Sequence, residues 1–328
     1  MITIAIDVMS GDIGPAVTVP ASVRALSFMP DISVILLGDS KAIQAQLSRL
    51  KHTNHERIRI VATTQTIGMD EKPAQALRNK KDSSLFRSIQ LLQEGEVQAC
   101  VSAGNTGALL AIGCHLLRTF DGIDRPAICA VIPTDKGQAF LLDVGANVDV
   151  PAKNLHQFAV MGSVLCSALL GIEKPRIGLL NIGVEDIKGN EQVKNAAELL
   201  QVDNTINYCG FVEADQLFFQ KVDVAVCDGF TGNIALKASE GAARLIRHTL
   251  NQFKIAKLIK PLMAGFRSKI NPSRYNGASF LGLTATLVKS HGSADVDAFC
   301  RAIEVARSEV QADIPRRIQE KLQLGSNA

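Results

Sequence analysis

Five short loops hold the residues of this chain best suited to chemistry. They are Asp7-Val-Met-Ser-Gly-Asp12, Ser102-Ala-Gly-Asn-Thr-Gly107, Asp143-Val-Gly-Ala-Asn147, Asn181-Ile-Gly-Val-Glu185 and Asp228-Gly-Phe-Thr-Gly-Asn233. Rich in Gly, Asn, Asp, Ser and Thr, they offer backbone N–H groups with little side-chain bulk, and such groups bind anions, phosphate above all. The second loop sets Gly104, Asn105, Thr106 and Gly107 at a helix start; the fifth does the same with Gly229, Thr231, Gly232 and Asn233. The plainer reading of both is a well-capped turn. Asp7 and Asp12 would repel phosphate, so the first loop reads as a structural turn or a metal-assisted site.

Charged side chains stand close to these loops in the sequence. Arg78, Lys80 and Lys81 precede Ser83-Ser84, where they suit phosphate, an acidic partner or a solvated helix start. Lys188 and Glu191 follow the fourth loop and could serve a site or simply begin a helix. His291, in Lys289-Ser-His-Gly-Ser293, could donate to an anion or act as general acid or base, or be a satisfied loop histidine.

The chemistry is bounded by what is missing. GxxxxGK[ST], GxGxxG and GxSxG are all absent, and no two glycines are spaced as GxG. An ordinary nucleotide, nicotinamide, flavin or serine-hydrolase site is therefore disfavoured, and no cofactor is expected. Seven cysteines form no CxxC pair and none lies in the five loops, which points to core packing over a disulfide scaffold, a zinc cluster or a nucleophile. Six histidines are scattered; His52 and His55 read as a solvated loop, and no metal is expected.

These loops need a scaffold, and the pattern between them supplies one. Strand-like runs near 2–7, 32–38, 58–62, 97–101, 127–132, 138–143, 176–181, 206–209 and 222–227 alternate with helical periodicity near 15–28, 40–50, 84–94, 106–118, 153–170, 189–201, 231–250 and 294–320. That alternation predicts a three-layer α/β/α fold with a mostly parallel sheet. The runs 127–132 and 139–142, parted by Pro133-Thr-Asp-Lys-Gly137, also suit a local hairpin. With no repeat or Pro/Ser-rich linker in 328 residues, a single α/β catalytic domain spanning 1–328 is the expectation. The chain is 47% hydrophobic and 20% charged, and no apolar run reaches the roughly 18 residues of a spanning helix. Met1-Ile-Thr-Ile-Ala-Ile6 reads as a strand, not a signal peptide, so a cytoplasmic protein is expected.

Net charge is +3, yet Arg244, Arg247, Lys254, Lys257, Lys260, Arg267, Lys269, Arg274 and Lys289 fall between Glu240 and Asp295 with no acidic residue among them. Within 251–275, a helical reading puts Ile255, Leu258, Ile259, Leu262, Met263 and Phe266 on one face. Lys254, Lys257, Lys260 and Arg267 fall on the other, with Pro261 kinking the helix. Such a basic amphipathic excursion suits an anionic membrane or acidic partner, as well as a core or dimer interface.

Ile6-Asp-Val-Met-Ser-Gly-Asp-Ile-Gly-Pro15, Ala76-Leu-Arg-Asn-Lys-Lys-Asp-Ser-Ser84, Val101-Ser-Ala-Gly-Asn-Thr-Gly-Ala-Leu109, Asp143–Asn147 and Cys227-Asp-Gly-Phe-Thr-Gly-Asn233 resemble, in order, the motifs of the bacterial PlsX family of acyl-[acyl-carrier-protein]:phosphate acyltransferases. Similarity runs from Ile2 to about Ala306, through Tyr275–Leu287 and Ser290-His-Gly292. Two positions depart from it: Ser10 stands where the family usually has Gly, and Ala103 likewise.

The resemblance implies transfer of a long acyl chain from acyl carrier protein to inorganic phosphate, giving an acyl phosphate for phospholipid synthesis. It also implies a fold similar to phosphotransacetylases and isocitrate-type dehydrogenases, and a homodimer. Peripheral association with the inner membrane face is implied too, where a membrane-bound glycerol-3-phosphate acyltransferase takes the product; no nucleic acid partner is expected. On this reading Asn105, Lys188, Asn233 and His291 are catalytic. Gly104, Thr106, Gly107, Gly229, Thr231, Gly232, Arg78 and Lys81 bind phosphate or substrate, and Lys254, Lys257, Leu258, Leu262 and Arg267 dock membrane or carrier. A phosphotransacetylase-like enzyme using short acyl-CoA, or a phosphate-binding protein without turnover, are the alternatives.

Overall fold

A computed structural model describes residues 1–53, 55–252 and 272–326. Its strands are β1 (Ile2–Asp7), β2 (Ile32–Gly38), β3 (Ile58–Ala62), β4 (Ala99–Ser102), β5 (Ala127–Pro133), β6 (Gln138–Leu142), β7 (Arg176–Leu180), β8 (Asn207–Val212), β9 (Val224–Val226), β10 (Ala278–Leu281) and β11 (Thr286–Lys289). The helices are α1 (Pro15–Phe28), α2 (Ser40–Arg49), α3 (Pro73–Asn79), α4 (Ser84–Gln93), α5 (Thr106–Leu116), α6 (Ala152–Leu170), α7 (Glu191–Val202), α8 (Gly229–Gln252), α9 (Val296–Gln311) and α10 (Ile314–Ser326). They form a mixed α/β fold with mostly parallel pairing, as the alternation predicts.

Two compact units share the chain. The first comprises Met1–Pro126, Ala168–Gly171 and Asn276–Ala328. Its strand order is β3-β2-β1-β4-β11-β10, parallel except for the β10/β11 pair. Ile4 lies opposite Val34 on one side and Ala99 on the other. Because such strands are covered on both faces, they read as nearly continuous Ile, Val and Leu runs. Ile4, Ile6, Val34, Leu36, Ala99 and Val101 share one core with Val19, Leu26, Ile43, Leu47 and Phe299 of α1, α2 and α9. α4 lies against β1, β2 and β4 and brings the buried Leu85 and Ile89.

The second unit comprises Ala127–Ser167 and Ile172–Tyr275, with strand order β5-β6-β9-β7-β8. β5 and β6 form the antiparallel hairpin anticipated around Pro133, which pairs with Gln138, and the remaining pairs are parallel. Asp223, just before β9, joins β7 from the side: Arg176 donates to its carboxylate from Nε at 3.1 Å and from a terminal nitrogen at 2.9 Å.

Four elements differ from the sequence reading. β10 and β11, of four residues each, are too short to display a period and were not anticipated. α3 was missed for the same reason, being only seven residues long. The expected single helix over 294–320 is two, because Asp313 turns the backbone left-handed (φ 51°) and α10 restarts at Ile314-Pro315. Among the basic segment's proposed docking residues, Lys254, Lys257, Leu258, Leu262 and Arg267 lie outside the described residues. Among the described residues, no helix is long and apolar enough to cross a membrane.

Candidate active site

In the first unit, β1, β4 and β11 run parallel, so the loops that follow them emerge at one edge. There the Asp7–Asp12, Ser102–Gly107 and Ser290–Ser293 turns interlock. Asp12 N–H donates to the Gly292 carbonyl (2.8 Å), and Ser290 N–H to the Ser102 carbonyl (2.8 Å). The Ser102 hydroxyl donates to Asp7 Oδ2 (2.7 Å) and accepts the Gly104 N–H (3.0 Å). The Ser10 hydroxyl donates to the Asp7 carbonyl (2.6 Å) and accepts the Ala103 N–H (2.9 Å). Burial pushes the Asp7 carboxyl up, against the lowering effect of the Ser102 bond and the Lys289 charge.

Asn105 caps α5, its Oδ1 accepting from Ala108 N–H at 3.0 Å. That fixes its amide nitrogen on the opposite side, where it donates to the carbonyls of Met69 and Glu71, each at 2.8 Å. The side chain expected to donate to an anion is thus committed to protein carbonyls, a correction that follows from its capping role. The N–H groups of Thr106 and Gly107 open α5 and, as in the first turn of any helix, have no intrahelical acceptor. Pro73 of α3 packs against Gly107, where a Cβ would lie 2.7 Å from its ring.

His291 is exposed and held from two sides. Its N–H donates to Asn276 Oδ1 (2.9 Å), and its Nδ1 accepts from Ser293 N–H (3.2 Å). An imidazole accepting at Nδ1 carries its proton on Nε2 when neutral, leaving that nitrogen as the donor. Asn276 also donates to Ser290 Oγ (2.8 Å) and the Ala298 carbonyl (2.7 Å), so it fixes the whole turn. Sequence reasoning missed Asn276, whose partners lie 14 or more residues away. Arg78 falls in the last turn of α3 and Lys81 in the short link to α4, both exposed.

In the second unit, β6, β7 and β9 run parallel and their following loops share an edge. The Asp143–Asn147 loop does cradle a carboxylate, but its own. Asp143 Oδ1 accepts from Ile128, Gly145 and Ala146 N–H, each at 3.0 Å, and Oδ2 from Asn147 N–H at 2.8 Å. The reading of this loop as a source of free N–H groups is therefore corrected. In the same way Asp228 receives Thr231 N–H (2.7 Å) and its hydroxyl (2.9 Å), while Gly229 N–H goes to the Asn147 carbonyl (2.7 Å). Gly232 is buried; Asn233 is exposed, with its Cβ 3.8 Å from where a Gly145 Cβ would lie. Lys188 Nζ sits 2.8 Å from Glu185 Oε2, and that bond pushes the lysine up and the glutamate down. Both are well exposed, so the pair is open to exchange with another anion.

Five cysteines are buried, Cys114 is partly so, and Cys209 is exposed, departing from the core reading. Burial pushes the thiols of Cys100 and Cys227 far up, Cys166 to about 12 and Cys300 to about 11, which removes thiolate character. Among the described residues, no group of three or more His, Cys, Asp or Glu is placed to hold a metal ion.

Residues 2–317 match the family described as "Fatty acid synthesis protein". The chain is 50% identical over 330 residues to the phosphate acyltransferase of Alkalilimnicola ehrlichii, covering 98% of this chain and 96% of that protein. Identity to the phosphate acyltransferase of Pseudomonas putida (strain GB-1) is 50% over 328 residues, covering 98% and 97%. Among solved structures, a phosphotransacetylase from Streptococcus pyogenes superposes with a TM-score of 0.63 at 16% identity, covering 94% of each chain. A branched-chain phosphotransacylase from Enterococcus faecalis V583 gives 0.63 at 13%, covering 94% and 99%. At that identity the likeness concerns the fold alone.

Proposed function

The chain belongs to the fatty acid synthesis protein family, and on that premise we propose that it moves a long acyl group from the phosphopantetheine thioester of acyl carrier protein to inorganic phosphate. A phosphate oxygen attacks the thioester carbonyl, the C–S bond breaks, and acyl phosphate and carrier thiol result. The enzyme is an acyltransferase; the carrier donor and the acyl phosphate are our reading. The observation that carries it is 50% identity, along 98% of the chain, to proteins named phosphate acyltransferase.

Phosphate is already anionic and nucleophilic, so the protein has mainly to hold it against the carbonyl and stabilise the oxyanion. In the first unit we assign phosphate binding to the Gly104–Gly107 turn through the Thr106 and Gly107 N–H groups. His291 Nε2–H serves as donor to the anion or the departing thiolate. Asn105 shapes that turn, and Arg78 and Lys81 add positive potential. In the second unit Asn233 and Lys188 are the proposed donors. Lys188 exchanges Glu185 for substrate anion, and Gly229, Thr231 and Gly232 shape the turn that presents Asn233. The basic segment with Lys254, Lys257, Leu258, Leu262 and Arg267 is assigned to membrane or carrier docking, and the working form to a homodimer at the inner membrane face.

Incubation with palmitoyl carrier protein and labelled phosphate tests the reaction. Labelled acyl phosphate is the expected product. Product from acetyl-CoA alone would make this a short-chain phosphotransacetylase, and binding without product would make it a phosphate-binding protein.

A further inference from the structure

Ser10 and Ala103, the two positions where this chain departs from the glycines usual in the PlsX motifs, are bonded to each other. The Ser10 hydroxyl accepts the Ala103 N–H at 2.9 Å while donating to the Asp7 carbonyl at 2.6 Å. Ser10 is 6% exposed and Ala103 1%, so water does not replace this bond. A second hydroxyl, Ser102, joins the Gly104 N–H to the Asp7 carboxylate. Two successive N–H groups of the turn thus point inward, to hydroxyls anchored on the Asp7 residue. The close approach of the loops leaves little freedom for another arrangement: a Cβ on Gly11 would lie 3.1 Å from Ala103 Cβ and 3.0 Å from the Gly292 carbonyl oxygen.

We propose that Ser10 is a positioning residue for phosphate, whose hydroxyl holds the Ala103–Gly104 peptides inward and so aims the Thr106 and Gly107 N–H groups at the anion. A glycine at 10 has no side chain to make this bond. The Ser10 bond acts on the geometry of the anion site and leaves the acyl donor untouched. The proposal rests on the reading that the Gly104–Gly107 turn holds phosphate.

The test compares steady-state kinetics of Ser10→Ala, Ser10→Thr and Thr106→Pro in the full chain, with phosphate and acyl carrier substrate varied separately. Thr106 is the first residue of α5, where proline is well tolerated, and Asn105 already has extended ψ (118°), so Thr106→Pro deletes one N–H of the turn together with the Thr106 hydroxyl, and Thr106→Val, which deletes the hydroxyl alone, is run beside it to separate the two. Ser10→Ala should raise the phosphate KM about fivefold, the worth of one buried hydrogen bond, with kcat and the acyl-carrier KM near the parent. Ser10→Thr, which keeps the hydroxyl, should restore it. If Ser10→Ala melts early, Ser10→Gly replaces it with the same expectation. An unchanged phosphate KM in the Ser10 variants, with a raised one in Thr106→Pro, overturns the positioning role and leaves the turn as the anion site. Unchanged values in all variants overturn the turn assignment, and the positioning role falls with it.

Discussion

Gly232 approaches Asp143 so closely that a Cβ added to it would lie 1.9 Å from the Asp143 carbonyl oxygen and 2.9 Å from Cys227 Sγ. The first turn of α8 is thereby seated on the loop after β6. Helix propensity alone would make Gly232→Ala stabilising by about 1 kcal/mol. Overpacking against a backbone oxygen costs about 1–3 kcal/mol or more and should win. A lower melting temperature and lost turnover are expected; a variant as stable as the parent would show that α8 is not held this way.

Glu309 supplies a pH dependence. It is buried on α9, bonded by the Ser279 hydroxyl, and burial pushes its carboxyl up from 4.5 to about 7. Between those values the folded chain holds a proton that the unfolded chain has released. Stability therefore falls as pH rises from about 4.5 to about 7 and is flat above, by up to about 3 kcal/mol from this group. Glu309→Gln should flatten that slope and be the more stable protein near pH 8. Denaturant melts across this range decide, and a parent-like slope in the variant refutes the assignment.

The thiols bear on the reaction path. Cys100, Cys166, Cys227 and Cys300 are buried with their thiols pushed up, so none of these four offers a ready thiolate for a covalent acyl-enzyme. Each single Cys→Ala variant should keep turnover, and native-state alkylation should reach Cys209 first without inactivation. One inactive Cys→Ala variant that folds, together with acyl-enzyme trapped in a single turnover, would establish the covalent route instead.

Membrane association, a proposal drawn from the basic segment, is tested by replacing Leu258 and Leu262 with Glu. Release from anionic vesicles with turnover on soluble substrate intact is expected. Vesicle binding equal to the parent's would remove the proposal.

Alternation of apolar runs with helical periodicity was enough to determine the α/β class and, apart from β11, the parallel strands and the loops that follow them, because strands buried on both faces must be apolar throughout. The Pro133 hairpin was legible for a similarly local reason. Loop composition also marked the turns of interest, since Gly, Asn and Asp report what a backbone can do. What the N–H groups of those turns face is a different matter. Only the tertiary structure turned the Gly145–Asn147 donors onto Asp143, gave the Asn105 amide to Met69 and Glu71, and placed Asn276 behind His291. Hydrogen bonds are satisfied by whatever polar group the fold brings within about 3 Å, and such a partner can be 95 residues away, as Ser102 is from Asp7.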